Sequence, residues 1–60
     1  MMQEVVHIGE TNSNDFQDKI NKETESRNNS GWRLEDIEFS TALDNKTGDI
    51  VFDALLTFER

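Results

Sequence analysis

The chain has 60 residues, no cysteine, no proline and a formal net charge of −7. That length makes one domain, residues 1–60, which buries only about 60% of its unfolded surface, and without cysteine it has no disulfide, thiolate zinc site or thiol nucleophile. The acidic balance, with a pI near 4.4, opposes direct binding to a phosphate backbone, and no apolar run approaches the ~20 residues of a membrane span.

Met1 to Ile8 reads as a short strand, with β-branched Val5, Val6 and Ile8 and a stop at Gly9. Glu10 to Asn14 is a polar loop. Ser13 or Asn14 is the expected helix cap, with Asp15 and Asp18 in the first turn, where the helix dipole favours acids. The helix is expected from Asp15 to Arg27 or Asn28. Asn28–Asn29–Ser30–Gly31 then stops it, because Asn and Gly accept the left-handed conformation of a helix end.

The remaining residues form a long hairpin. Trp32 to Leu43 is one arm, Ile50 to Phe58 the other, and Asp44–Asn45–Lys46–Thr47–Gly48–Asp49 the turn. Placing Leu43 opposite Ile50 pairs Thr41 with Phe52, Phe39 with Ala54 and Ile37 with Leu56, all on one face. The other face carries Ala42/Val51, Ser40/Asp53, Glu38/Leu55 and Asp36/Thr57 and is mostly polar. A one-residue slip would exchange the faces, so the pattern sets the register. Trp32 and Leu34 break the alternation. A bulge near Glu35–Asp36 would return Leu34 to the apolar face; alternatively the strand begins at Asp36.

The order β-α-β-β, with a last strand apolar on both faces, predicts an α+β fold: a three-stranded antiparallel sheet of spatial order 1-3-2 with one helix on one face. The helix offers only Phe16 and Ile20 on its apolar stripe, followed by Glu23, Thr24 and Arg27. The sheet face presents Val6, Ile8, Ile37, Phe39, Leu43, Ile50, Phe52, Leu56 and Phe58. This mismatch predicts completion by oligomerisation, with another copy of the chain covering what the helix leaves wet. It also predicts that truncating Phe39 or Phe52, mid-hairpin on that face, costs more stability than any helix substitution.

The segment Gly31–Trp32–Arg33–Leu34–Glu35–Asp36–Ile37, closed by Leu56–Thr57–Phe58–Glu59–Arg60, resembles a family of small bacterial β-α-β-β domains of unknown function with a Gly-Trp-x-Leu strand opening. The runs Asp15 to Ile20, Asp36–Ile37–Glu38–Phe39–Ser40 and Phe52–Asp53–Ala54–Leu55–Leu56 are more loosely similar to the ~60-residue sporulation-associated proteins of Gram-positive bacteria, from which Gly31–Trp32 departs. Either resemblance implies a fold and a bacterial or phage source, and neither brings a catalytic residue.

Candidate chemistry is sparse. His7 is the only histidine, so no second imidazole or thiolate completes a metal site around it. The turn 44–49 is similar in composition to a calcium loop but has Lys46 in place of a ligand. Glu35, Asp36 and Glu38 alternate along a strand and imply no pocket. The expectation is therefore no catalytic residue, no metal and no cofactor. Trp32 and Arg33 carry the one binding reading: an indole stacks on a base and a guanidinium grips a phosphate. Arg27 and Asn28, with Lys22 and Asn29, would add donors at a subunit interface. The competing reading is that Trp32 plugs the end of the core and Arg33 is solvated.

Three functions follow as expectations. The first is a non-enzymatic homo-oligomer, of phage type, that sequesters a small anionic, nucleotide-like signalling ligand at subunit interfaces. The second is an acidic interaction module that inhibits a basic host protein, as a nucleic-acid mimic would. The third is a sporulation-associated structural protein. A cytoplasmic location is expected, since cysteine is absent and no signal peptide precedes the Asn45–Lys46–Thr47 sequon, which reads as turn chemistry.

Overall fold

A computed structural model describes residues 2–60. Four elements follow one another: β1 (Gln3–Glu10), α1 (Ser13–Asn29), β2 (Arg33–Leu43) and β3 (Ile50–Glu59). The three strands form one antiparallel sheet of order β1-β3-β2. The α+β fold is thus as the pattern predicts, with β1 and β2 parallel to each other and β3 between them.

The hairpin register is the one the alternation demands. Leu43 pairs with Ile50, Thr41 with Phe52, Phe39 with Ala54 and Ile37 with Leu56. The bulge is present as well. Leu34 pairs with Phe58 and Asp36 with Thr57, which leaves Glu35 as the extra residue. Inserting one residue restores phase, so Leu34 joins the apolar face and packs against the core. The turn is held by its own side chains: Asp44 Oδ1 accepts from the Lys46 amide at 2.9 Å and Thr47 Oγ1 from the Asp49 amide at 3.2 Å.

Several boundaries differ from expectation: α1 is longer at both ends, β2 starts one residue later and β3 ends one residue later, and the differences at Gly9 and at the helix cap have a physical reason. β1 runs through Gly9 to Glu10, and Met1 lies outside the described residues. Gly9 pairs with Asp53, and a Cβ on it would lie 3.1 Å from Asp53 Oδ1. The missing side chain makes room for the Asp53 carboxylate, which bonds His7 Nε2 at 2.8 Å across the bare outer face. Gly9 therefore serves the strand instead of ending it. The helix cap is Asn12, one residue before the expected candidates. Its Oδ1 accepts from the Asn14 and Asp15 amides at 2.9 and 3.0 Å, and its own backbone is extended. Asn12, Ser13 and Asn14 are all good caps, and the short connection after Glu10 selects the first.

The far end of α1 closes in a Schellman motif. The Trp32 amide donates to the Arg27 carbonyl and the Gly31 amide to the Asn28 carbonyl, at 2.9 and 3.1 Å, with Gly31 at φ +86°. This turn drops Trp32 directly under the helix end. The core comprises Ile8, Trp32, Ala54, Leu56 and Phe58, with Val6, Phe16, Ile20, Leu34 and Ile37 packed around it. No residue of α1 is itself fully buried. The helix lies over the half of the sheet nearest the chain ends.

The other half of the same face is open. Phe39, Leu43 and Ile50 are 64%, 62% and 56% exposed. This departs from the expectation that Phe39 is a stability anchor of the single chain: its partner Ala54 on central β3 is 1% exposed, so the cover reaches that level but leaves the side chain on edge strand β2 open. The anchors are Leu56 and Phe58, both 0% exposed on central β3. Phe58→Ala is expected to lower the unfolding free energy by about 3–5 kcal/mol. Phe39→Ala, which loses mainly an aromatic edge contact, should cost about 1 kcal/mol in dilute solution. Urea titrations at low protein concentration rank the two.

Candidate functional site

Two places on the molecule bring functional side chains together, one at the start of β2 and one beside its middle. The first is the corner where α1 ends. There the Schellman motif gathers all four sequence-predicted residues, Arg27, Asn28, Trp32 and Arg33. Trp32 is only 9% exposed and belongs to the core. The Arg27 guanidinium carbon stands 5.9 Å from the Trp32 ring centre and 5.6 Å from that of Phe58, and Arg60 stands 5.8 Å from Trp32. The indole is therefore already flanked by two cations. Asn28 contributes its carbonyl to the helix end.

Arg27 is engaged in three ways. Its Nη2 donates to Glu4 Oε1 at 2.8 Å, its Nε donates to Glu23 Oε1 at 3.0 Å, and its guanidinium faces the two aromatic rings. The two carboxylates raise its already high pKa. Arg33 differs. Its side chain is 75% exposed, with Glu35 at 3.0 Å and Glu59 at 3.8 Å from Nη2. An anion reaching Arg33 meets those two carboxylates first. The corner thus seats Trp32 and Arg27 as structural groups and leaves Arg33 as its one outward cation among the four.

The second place is a groove of about 400 Å3 between α1 and β2, lined by Ser13, Phe16, Gln17, Ile20, Asn21 and Phe39. Phe16 stacks on Phe52 with ring centres 5.8 Å apart and meets Phe39 edge-on at 6.3 Å. The aromatic trio forms the inner wall, and the exposed strip of Phe39, Leu43 and Ile50 continues from it toward the hairpin tip. Gln17 and Asn21, spaced i and i+4, form the polar rim on the helix. The sequence reading had Phe39, Leu43 and Ile50 on the apolar face but did not distinguish them from the covered residues. What separates them is strand position and the reach of α1: Phe39 and Leu43 lie on edge strand β2 and Ile50 at the tip end of β3, whereas the fully buried Ala54, Leu56 and Phe58 lie along central β3.

Among the described residues no three His, Asp or Glu side chains gather as a metal site, and no helix is long and apolar enough to cross a membrane. Comparisons with protein-family models, with curated proteins and with solved structures find no match for this chain.

The ion pairs at the covered end carry a pH dependence. The hydrogen bond from Arg27 holds the Glu4 carboxyl below its ordinary value of 4.5. The bond from Lys19 does the same for Glu10. A lowered folded-state pKa gives stability that is present above the unfolded value and is lost as the pH falls through the folded one. The wild-type Tm should therefore decline below about pH 4.5, and Glu4→Gln should flatten part of that decline while changing the slope at pH 6–8 little. Thermal melts of both proteins from pH 3 to 8 check this.

Proposed function

We propose that the chain is a non-enzymatic, self-associating binding module whose copies meet through the open half of the inner sheet face. One observation carries the reading: Phe39, Leu43 and Ile50 lie on one sheet face, each more than half exposed, with part-buried Phe52 and exposed Thr41 between them and Phe39 lining an apolar-walled groove. Scattered exposed apolar residues need no explanation, but a contiguous patch rimmed by polar side chains marks an interaction surface. The strip lies on the face that elsewhere forms the core, so covering it extends one core across two copies.

The outward surface of such an assembly is acidic. The bare outer face carries Asp36, Glu38 and Asp53 beside exposed Leu55 and Val5. This favours a basic protein surface as the partner of the assembled module. A nucleotide-like ligand at Trp32 and Arg33 has weaker support, because the indole is buried and Arg33 stands between two carboxylates. A thermal-shift screen with mono-, di- and cyclic nucleotides discriminates the two. A stabilisation that vanishes in Arg33→Ala would reinstate the ligand reading.

Self-association is tested by sedimentation. The wild type is expected to be a dimer or larger at ~100 µM, and to tighten as salt rises, because screening weakens the repulsion between copies of charge −7. Leu43→Asp should yield a folded monomer, since Leu43 is exposed in the single chain and its loss leaves the core intact. A well-folded wild-type monomer at that concentration overturns the proposal.

A further inference from the structure

We infer that the free edge of β1 docks an extended, basic segment of a partner protein, which adds to the sheet as a fourth strand. The inference rests on the basic-partner reading above and adds where and how that partner binds. The hydrogen bonds define the edge. Met2 and Arg60 exchange both amide bonds, Met2 donating to the Arg60 carbonyl at 3.1 Å and Arg60 to that of Met2 at 2.9 Å. From there the register runs without a shift, from Gln3 opposite Glu59 to Glu10 opposite Phe52. Bonded pairs in an antiparallel ladder fall at every second residue. Glu4, Val6, Ile8 and Glu10 therefore point their peptide groups at β3, and Gln3, Val5, His7 and Gly9 point theirs away from it. These last four residues are exposed, and β1 is the outermost strand on that side. Among the described residues no backbone group outside the ladder pairs with them. Free donors and acceptors repeating at strand spacing are matched by another extended backbone.

The two edges of the sheet are not equivalent. β2 carries the Glu35 bulge, and its distal half belongs to the strip given to self-association above. β1 is unbroken over eight residues, with neither proline nor bulge. Both of its acids are met from the helix, Glu4 by Arg27 and Glu10 by Lys19, so no carboxylate of β1 itself stands without a cation. The edge also stays accessible when copies meet through the distal hairpin, because Leu43 and Ile50 lie beyond the last β1 pair, Glu10 with Phe52.

The outer face sets the charge of the occupant. Gly9 lies between Asp53 and the free edge, so no side chain of β1 at that level screens the Asp53 carboxylate from an added strand. A Cβ at Gly9 would stand 3.1 Å from Asp53 Oδ1 and 3.4 Å from the His7 ring, which shows how far that carboxylate leans toward the edge. Two strand spacings, about 10 Å, separate the added backbone from β3. An Arg or Lys opposite Gly9 spans that distance together with the Asp53 side chain. The His7 imidazole, bonded to Asp53 Oδ1 at 2.8 Å, borders the same gap and offers a flat face to a guanidinium. Opposite Val5, which is 59% exposed, an apolar side chain fits. Running antiparallel like its neighbours, the added strand reads Arg or Lys, three residues, then an apolar residue. The net charge of −7 draws such a segment in.

The probe is the synthetic peptide acetyl-Thr-Arg-Val-Thr-Val-Ile-Thr-Thr-amide, whose Arg falls opposite Gly9 and whose Ile falls opposite Val5. Amide hydrogen exchange, read residue by residue by NMR on the whole chain, reports where it binds. In the free chain Val5, His7 and Gly9 should exchange fast and Val6 and Ile8 slowly. At saturation the peptide should slow Val5, His7 and Gly9 by about tenfold or more. Replacing its Arg by Gln, or using the Asp53→Asn chain, should each weaken binding several-fold. Val5→Pro removes one outward N–H and leaves the β3 ladder whole, since proline is tolerated on a strand edge that faces solvent; it should fold and lose the peptide. Methylation of the peptide nitrogen opposite His7, which points at β1, should abolish binding to the wild type, and methylation opposite Val6, which points away, should not.

Absence of peptide binding overturns the inference. Binding that slows Ile37, Phe39 and Thr41 in place of the β1 amides puts the strand on the other edge and overturns it while a basic partner stands. Protection of Val5, His7 and Gly9 without peptide, growing with protein concentration, gives the edge to a second copy and overturns it too. A peptide with Glu in place of Arg that binds β1 equally well overturns the basic-partner reading, and with it the contact to Asp53.

Discussion

A helix with two apolar residues has to cover a sheet face whose longest strand is eleven residues. Nearly every other feature of the molecule answers that constraint. Phe16 and Ile20 close the middle of the face. Toward the chain ends the cover continues with a cation; toward the hairpin tip it stops. The core therefore lies at one end, and a 40 Å long molecule only 13 Å thick has its apolar surface divided between a dry half and a wet one.

Arg27 explains how the dry half stays dry after the apolar stripe is spent. It follows Ile20 and Glu23 on the helix face that meets the sheet, where another Leu or Ile would be the simpler choice. Its stem and guanidinium instead lie over Trp32 and Phe58, with the charge met by Glu4 from β1 and Glu23 from its own helix. Arginine can do this because its planar group is weakly hydrated and stacks on aromatic faces while keeping its in-plane donors free. The same arrangement commits Trp32 and Arg27 to contacts within the chain. Residue types that suggest nucleotide recognition in a sequence here also seal the end of a core that the helix's apolar stripe does not reach.

The fold was legible wherever the side-chain period alone decides. Hairpin register and the Glu35 bulge follow from parity, since a strand's alternation is strict and Leu34 could rejoin the face only by one extra residue. Parity says which face a residue takes, but not what lies above it. Phe39 and Phe58 read alike in the sequence, yet one is 64% exposed and the other 0%, because Phe58 lies on the central strand and Phe39 on an edge strand that α1 covers only in part. Asn12 is not distinguishable as the cap for a related reason: three adjacent capping residues are equivalent until the strand before them is known to continue through Gly9. Of the candidate site, the residues at the α1 end were legible but their burial was not, and the groove beside Phe39 needed the helix position to exist at all.

An exposed apolar strip beside two sheet edges invites uncontrolled growth as much as pairing. The distribution of acids limits the first without preventing the second. On β2, an edge strand, Glu35, Asp36 and Glu38 follow one another within four residues, and the Glu35 bulge breaks the ladder that a further strand would need. The inner face of the distal hairpin, by contrast, carries no acid between Phe39 and Leu43 on β2 or between Ile50 and Phe52 on β3. Repulsion from a net charge of −7 acts over the whole surface but is screened within about a Debye length; apolar contact acts only where the strip lies. Edge-to-edge addition at β2 therefore meets charge and a broken register, whereas contact through the inner face meets charge only at the turn, where Asp44 and Asp49 flank Lys46.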